Sequence, residues 1–313
     1  MKKFLLSLVS LAVVVFVALL VFAFWPTTTP TLAAAGDADQ AALIEKGRYL
    51  ADAGDCTACH TAKGGKPFAG GLPIASPIGT LYSSNITPDK ATGIGNYTLD
   101  DFDRAVRHGI AANGSSLYPA MPYPAYARTS DEDMRALYAY FMQGVAPVAA
   151  QNRANDVPWP LSMRWPLAIW RKVFAPAPQT VAFDASRYKD PQIARGAYLV
   201  QGLGHCGSCH TPRALTLQEK ALDESGDAYL SGGPVIDGWL AVNLRGNPAD
   251  GLGSWTRDDI VATLRSARST THAVLGGAMG DEFEIQQAVF RCDQGRMGLE
   301  SNIPLTEVGI LAV

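Results

Sequence analysis

KGRYLADAGDCTACHT, residues 46–61, decides how the rest of the chain is read. Cys56, Cys59 and His60 stand within five positions of one another. Two thiols three apart can each form a thioether to a haem vinyl group, and a histidine directly after them is then held beneath the iron. A redox disulfide or half of a zinc site could use the same cysteine spacing. A thioredoxin-like disulfide needs a βαβ setting, which nothing here supplies. Zinc can use paired Cys-x-x-Cys units but has no need of a histidine after each. RGAYLVQGLGHCGSCHT at 195–211 repeats the whole stretch with one extra residue and places Cys206, Cys209 and His210 in the same pattern. Four of the five cysteines therefore fall in two motifs of the c-type haem attachment kind, and the expected cofactor is haem c, two per chain.

The repeat extends further. GIGNYTLDDF (93–102) matches GLGSWTRDDI (251–260) at an offset of 158. That register selects the sixth iron ligands. Methionine is the usual second axial ligand where haem carries electrons, and it raises the potential. The chain has seven methionines, but Met121 and Met279 are related by the same offset of 158, in AMP (120–122) and AMG (278–280). The expected axial pairs are His60 with Met121 and His210 with Met279. Iron sites filled on both sides favour electron transfer over chemistry at the haem. His108 and His272 lie outside the motifs, and the repeat partner of His108 is Ser266, so neither is taken as a ligand. His205 is expected at the surface or a haem edge. The carbonyl of Pro67 or Pro73 is a candidate acceptor for the His60 ring N–H, which would fix its tautomer.

The fold class expected is mainly α. Residues 39–53 carry Ala42, Leu43, Tyr49 and Leu50 at helical spacing, and 191–200 repeat the idea. Thr98 and Asp101 form a capping-box start to a helix containing Phe102, Ala105 and Val106; 256–265 is its partner, with Ile260, Val261 and Leu264 inward. Ser130 caps a third helix, over 131–143, with acidic residues in its first turn and Met134, Leu137, Tyr138 and Phe141 as its apolar stripe. The connections 63–79 and 118–126, rich in Gly and Pro, read as loops. Residues 147–190 differ: prolines at 158, 160, 166, 176 and 178 exclude one long helix, 167–174 can form a short one, and Trp159, Trp165 and Trp170 are expected to pack on the haem domains or to dock a partner or membrane interface. The domains are read as 1–37 (leader and linker), 38–146, 147–190 (linker), 191–283 and 284–313 (tail).

Residues 4–25 form an apolar run after Lys2 and Lys3, long enough to span a bilayer. It reads as an anchor, or as a secretory signal with Ala33–Ala35 as cleavage site. Either delivers the chain to the periplasmic face of the inner membrane, with the lysines left on the cytoplasmic side. The net charge of −3 argues against a nucleic-acid partner. At the tail the repeat fails soon after Met279: a closing helix is expected near 289–301, where Gly295 and Gly298 break the pattern. No role is assigned to Cys292, and a chain shortened or frame-shifted after about Gly280 is the expectation.

NITPDKATGIGNYTLDDFDRAVRHGI (85–110), LYPAMPYPAY (117–126), RWPLAIWRKVFAP (164–176) and LRGNPADGLGSWTRDDIV (244–261) resemble the cytochrome c subunit of membrane-bound alcohol dehydrogenases and of the related gluconate, sorbitol and fructose dehydrogenases. The resemblance covers about 40–280. It implies two tandem cytochrome c-like haem domains, covalent haem at Cys56, Cys59, Cys206 and Cys209, and axial His60, Met121, His210 and Met279. It also implies an electron-transfer subunit, not catalytic alone, that takes electrons from a quinoprotein or flavoprotein dehydrogenase subunit towards ubiquinone. The family pattern has a third haem motif, absent here. The rival expectations are a di-haem peroxidase and a truncated, non-functional remnant of a tri-haem subunit.

Overall fold

The computed structural model describes residues 1–33, 39–236, 238–267, 276 and 279. The tail at 284–313, Cys292, His272 and the proposed closing helix near 289–301 lie outside the described residues, as do Ala34 and Ala35 of the cleavage-site reading.

Helices dominate, and their starts are written in side chains. Helix α1 (Lys2–Phe24) is the apolar run, with a mean hydropathy of 3.1 over its best window, long and apolar enough to cross a membrane. Helix α2 (Gln40–Ala53) starts where the Asp39 carboxylate accepts from the Ala41 N–H. The short α3 (Cys56–His60) follows at once. Helix α4 (Leu99–His108) opens with a complete capping box: the Asp101 N–H donates to the Thr98 hydroxyl, and the Asp101 carboxylate accepts from the Thr98 N–H. The one-turn α5 (Tyr123–Tyr126) precedes α6 (Asp131–Ala139), capped by Ser130. The helix expected over 131–143 changes pitch at Tyr140–Gly144, a π turn.

The second set repeats the order: α8 (Pro191–Gln201), α9 (Cys206–His210) and α10 (Arg257–Ser266). Thr256 and Asp259 rebuild the same capping box on α10. Two antiparallel ribbons are also present, the first of which corrects the loop reading of 63–79. Strands β1 (Pro73–Ser76) and β2 (Gly79–Tyr82) pair in the first set, and β3 (Val235–Ile236) and β4 (Trp239–Leu240) in the second.

The core gathers Leu50, Phe68, Phe102, Met134, Leu137 and Phe141, with half-buried Cys56 and Met121 packed against it. Gly47 lets α2 and α6 meet. A β-carbon there would lie 1.9 Å from the Ala136 carbonyl oxygen and 2.7 Å from Tyr140 Cβ. Gly47→Ala is therefore expected to cost about 1–3 kcal/mol through forced separation of the helices, read as a lowered urea midpoint with unchanged m-value.

The linker is not free. Residues 147–157 run along β2: Thr80 and Asp156 exchange backbone hydrogen bonds (3.2 and 2.9 Å), and the Tyr82 N–H donates to Asn155 Oδ1 (2.8 Å). Helix α7 (Trp165–Phe174) begins two residues earlier than expected, with Pro166 in its first turn. The tryptophans divide. Trp165 packs edge-on against Phe16 of α1, Trp170 against Tyr123 while donating to the Thr216 carbonyl (2.6 Å), and Trp159 remains 79 % exposed.

Candidate haem sites

Each attachment motif occupies one short helix, so cysteines three apart and the following histidine share a face. The residue before each, Asp55 or His205, is in left-handed backbone (φ 51° and 37°), which turns the chain sharply out of the preceding helix. Burial and the neighbouring Asp55 carboxylate push the Cys56 thiol well above its ordinary range. A redox-active thiol needs the opposite shift. A zinc centre needs converging donors, and among the described residues no three His, Cys, Asp or Glu side chains gather in that way.

The histidines are held identically. His60 Nδ1 lies 2.7 Å from the Ser84 carbonyl oxygen, and His210 Nδ1 lies 2.7 Å from that of Val242. Burial holds both rings below the ordinary imidazole range, against the raising effect of those carbonyls. Each ring is then neutral and donates its Nδ1–H, leaving the Nε2 lone pair for iron. Neither Pro67 nor Pro73 accepts from His60. The carbonyl is that of Ser84, because the chain leaving β2 passes alongside α3. Ser84 and Val242 are related by the offset of 158 that pairs Met121 with Met279. The signal was present in the register, but a backbone acceptor has no side-chain signature to prompt the search.

Met121 lies on the loop before α5, its N–H bonded to the Tyr118 carbonyl (3.3 Å), and packs against the same apolar cluster as Cys56. Met279 is half-buried. His108 points elsewhere: its Nε2 is 3.6 Å from an Asp103 carboxylate oxygen, in a buried group with Arg107. His205 is half-buried, and its ring stands edge-on to Tyr126 with centroids 5.8 Å apart.

These residues fit a covalently held haem. The thiols that would be tethered flank one helix face, the histidine tautomer is fixed with Nε2 available, and Met121 sits in apolar packing on the same cluster. In the second set Trp239, Leu240 and Val242 present exposed apolar surface beside the carbonyl that orients His210, a surface a flat macrocycle can cover.

Short helices bearing two thiols and a carbonyl-fixed histidine, set among longer helices around an apolar cluster, define a covalent haem protein. Residues 44–144 match the family described as Cytochrome c. The chain is 33% identical over 243 residues to a "Diheme cytochrome c-type" protein of Cereibacter sphaeroides, covering 75% of this chain and 77% of that one. This chain belongs to the cytochrome c family, whose haem c is covalently bound. It is 64% identical over 253 residues to the gluconate 2-dehydrogenase cytochrome c subunit of Pantoea cypripedii (80% of this chain, 57% of that one). To the cytochrome c subunit of the quinone-dependent alcohol dehydrogenase of Gluconacetobacter polyoxogenes it is 59% identical over 251 residues (80% and 53%). The chain spans about half the length of these dehydrogenase subunits.

Proposed function

We propose that this chain is a di-haem electron-transfer subunit. It would accept electrons from a periplasmic quinoprotein or flavoprotein dehydrogenase and pass them towards ubiquinone. The observation that carries the reading is the doubled histidine geometry, 2.7 Å from Nδ1 to a backbone carbonyl in both motifs and in the same repeat register as the two methionines. Similarity to cytochrome subunits of gluconate and alcohol dehydrogenases supports the choice of partner.

Haem, when bound, supplies a one-electron iron couple. The chain's residues do the rest. Cys56 and Cys59, with Cys206 and Cys209, would tether it; His60 and His210, each with a fixed tautomer, would ligate the iron; Met121 and Met279 would complete its ligation and keep substrate from the metal. This arrangement disfavours the peroxidase reading, which needs an open iron. Helix α1 supports a periplasmic location for the remainder, with Lys2 and Lys3 on the cytoplasmic side, whether as retained anchor or removed signal.

The test mixes the periplasm-matured chain with a dehydrogenase of the gluconate or alcohol type that lacks its own cytochrome. Adding the dehydrogenase's substrate should reduce both haems, and carbon monoxide should leave the ferrous spectrum unshifted. No reduction by any such dehydrogenase, or peroxide turnover by the chain alone, overturns the proposal.

A further inference from the structure

Helix α7 packs against the apolar helix α1 in a way that fixes its height. Trp165 stands edge-on to Phe16, with ring centroids 5.9 Å apart. Further along, the Lys172 ammonium donates to the Phe22 and Trp25 carbonyls (2.7 and 2.6 Å) at the end of α1, which the helix itself leaves without donors. From Trp165 to Lys172 is about 10.5 Å of helical rise, and from Phe16 to Phe22 about 9 Å. The two helices therefore run side by side in the same direction. The end of α1 is tied to the body as well. The Arg171 guanidinium donates to Thr27 Oγ1 (3.2 Å), and Leu32 is buried in the first core with its N–H donating to Asp100 (3.0 Å).

That direction says where a bilayer would lie. Helix α1 is long and apolar enough to cross a membrane, and it rises from Lys2 and Lys3. The start of α7 is then its deeper end, level with Phe16 and about 12 Å below Phe24. The turn at 158–163 leads into that end, closed by the Ser162 N–H on the Pro158 carbonyl and the Met163 N–H on the Pro160 carbonyl (both 3.1 Å). It presents Trp159 and Leu161, 79 % and 50 % exposed. Arg164, beside them, is satisfied by protein: it donates to the Ser116 carbonyl (3.2 Å) and lies over the Tyr118 ring (4.2 Å). Lys172 stands at the shallow end, where an ammonium can reach headgroups. We propose that the turn 158–163 and the start of α7 form a lipid-contacting surface that dips into the periplasmic leaflet, its partner the glycerol and upper acyl region of a phospholipid bilayer. Trp159 and Leu161 are its inserted tip. Trp170, on the same helix, packs on Tyr123 and donates to the Thr216 carbonyl, so the surface sets the tilt of both haem-bearing sets to the membrane. The inference rests on the membrane reading of α1 and not on electron transfer.

The experiment uses the full chain matured with haem. It is placed in phosphatidylcholine–phosphatidylglycerol vesicles carrying a trace of phosphatidylcholine with a diazirine on its acyl chain. After irradiation and digestion, lipid adducts are mapped by mass spectrometry. Peptides spanning 158–174 should be labelled well above peptides from elsewhere in the haem-bearing sets. Trp159→Ser combined with Leu161→Ser should lower that labelling severalfold and leave haem content unchanged. Labelling confined to α1, labelling spread evenly over the haem-bearing sets, or labelling of 158–174 that the double substitution does not lower overturns the proposal. Should the double variant lose haem, the wild-type pattern decides alone. Intact mass reports whether α1 is retained, and labelling of 158–174 is required in either case. Failure of haem reduction by a dehydrogenase would leave the labelling unmoved, so the two failures are told apart.

Discussion

A chain with both Cys206 and Cys209 replaced by alanine, matured beside cytochrome c assembly machinery, will carry one haem fewer than the wild type and keep the other. Each motif is self-contained: thiols and histidine share a single five-residue helix, and each histidine has its own carbonyl acceptor. Deleting both thiols removes the covalent hold at the second site. The first site is held by different residues, packed on a core drawn from α2, α4 and α6. Pyridine haemochrome absorbance set against intact mass reads the result directly, with two haems for the wild type and one for the variant. A wild type already at one, unchanged by the double substitution, would mean that only the first motif is loaded, and the remnant reading would move forward. Replacing Cys56 and Cys59 is the complementary variant and should leave the second site loaded.

The second large effect lies away from the haem. Asp103 and Arg107, one turn apart on α4, form an ion pair with side chains only 2 % and 5 % exposed. Arg107 also donates to Asp131 (2.8 Å) and to the Thr129 carbonyl (3.1 Å), tying α4 to the start of α6. Arg107→Met leaves the Asp103 carboxylate buried without its cation, a loss expected to cost about 3–5 kcal/mol near neutral pH. The pH dependence changes as well. In the wild type, burial alone would raise the Asp103 pKa, but His108 and Arg107 outweigh it and hold the carboxyl below the ordinary range. Its contribution is then complete above about pH 4, the unfolded value, and is lost as pH falls through the lower folded value. Without Arg107, burial counts for more while the His108 contact remains, so the folded carboxyl is held down less than in the wild type. The stability that Asp103 contributes above about pH 4 is therefore smaller in the variant, so the deficit is greatest at neutral pH and shrinks towards acid. Urea titrations across that range test it, and a deficit constant with pH would refute the account.

The parts of this architecture that could be read from the sequence are those specified by side chains close together in it. Thr98 with Asp101, and Thr256 with Asp259, announced two helix starts because a capping box is a local contact. The attachment motifs were legible because covalent chemistry demands fixed residues at fixed spacing. The ribbons were not. PIASPIGTLY carries prolines and a glycine over two four-residue strands, too short for an alternating pattern to stand out, and pairing sets them. The linker read as separate because its prolines suggest a break, whereas Asn152, Asn155 and Asp156 pin it to the first set through contacts remote in sequence. The packing of His205 was hidden for the same reason: Tyr126 becomes its neighbour only when the two sets meet.

The two haem-orienting carbonyls also bear on how such a duplicated protein ages. Ser84 and Val242 share neither size nor polarity, yet each presents the same atom to the same imidazole nitrogen. A peptide oxygen is common to every residue type, so drift in the side chain leaves it in place. After duplication, the loops could diverge in surface chemistry, and so in what they touch, while the proximal ligand kept its tautomer and basicity. The second copy can thereby differ in its outward contacts while its histidine stays oriented.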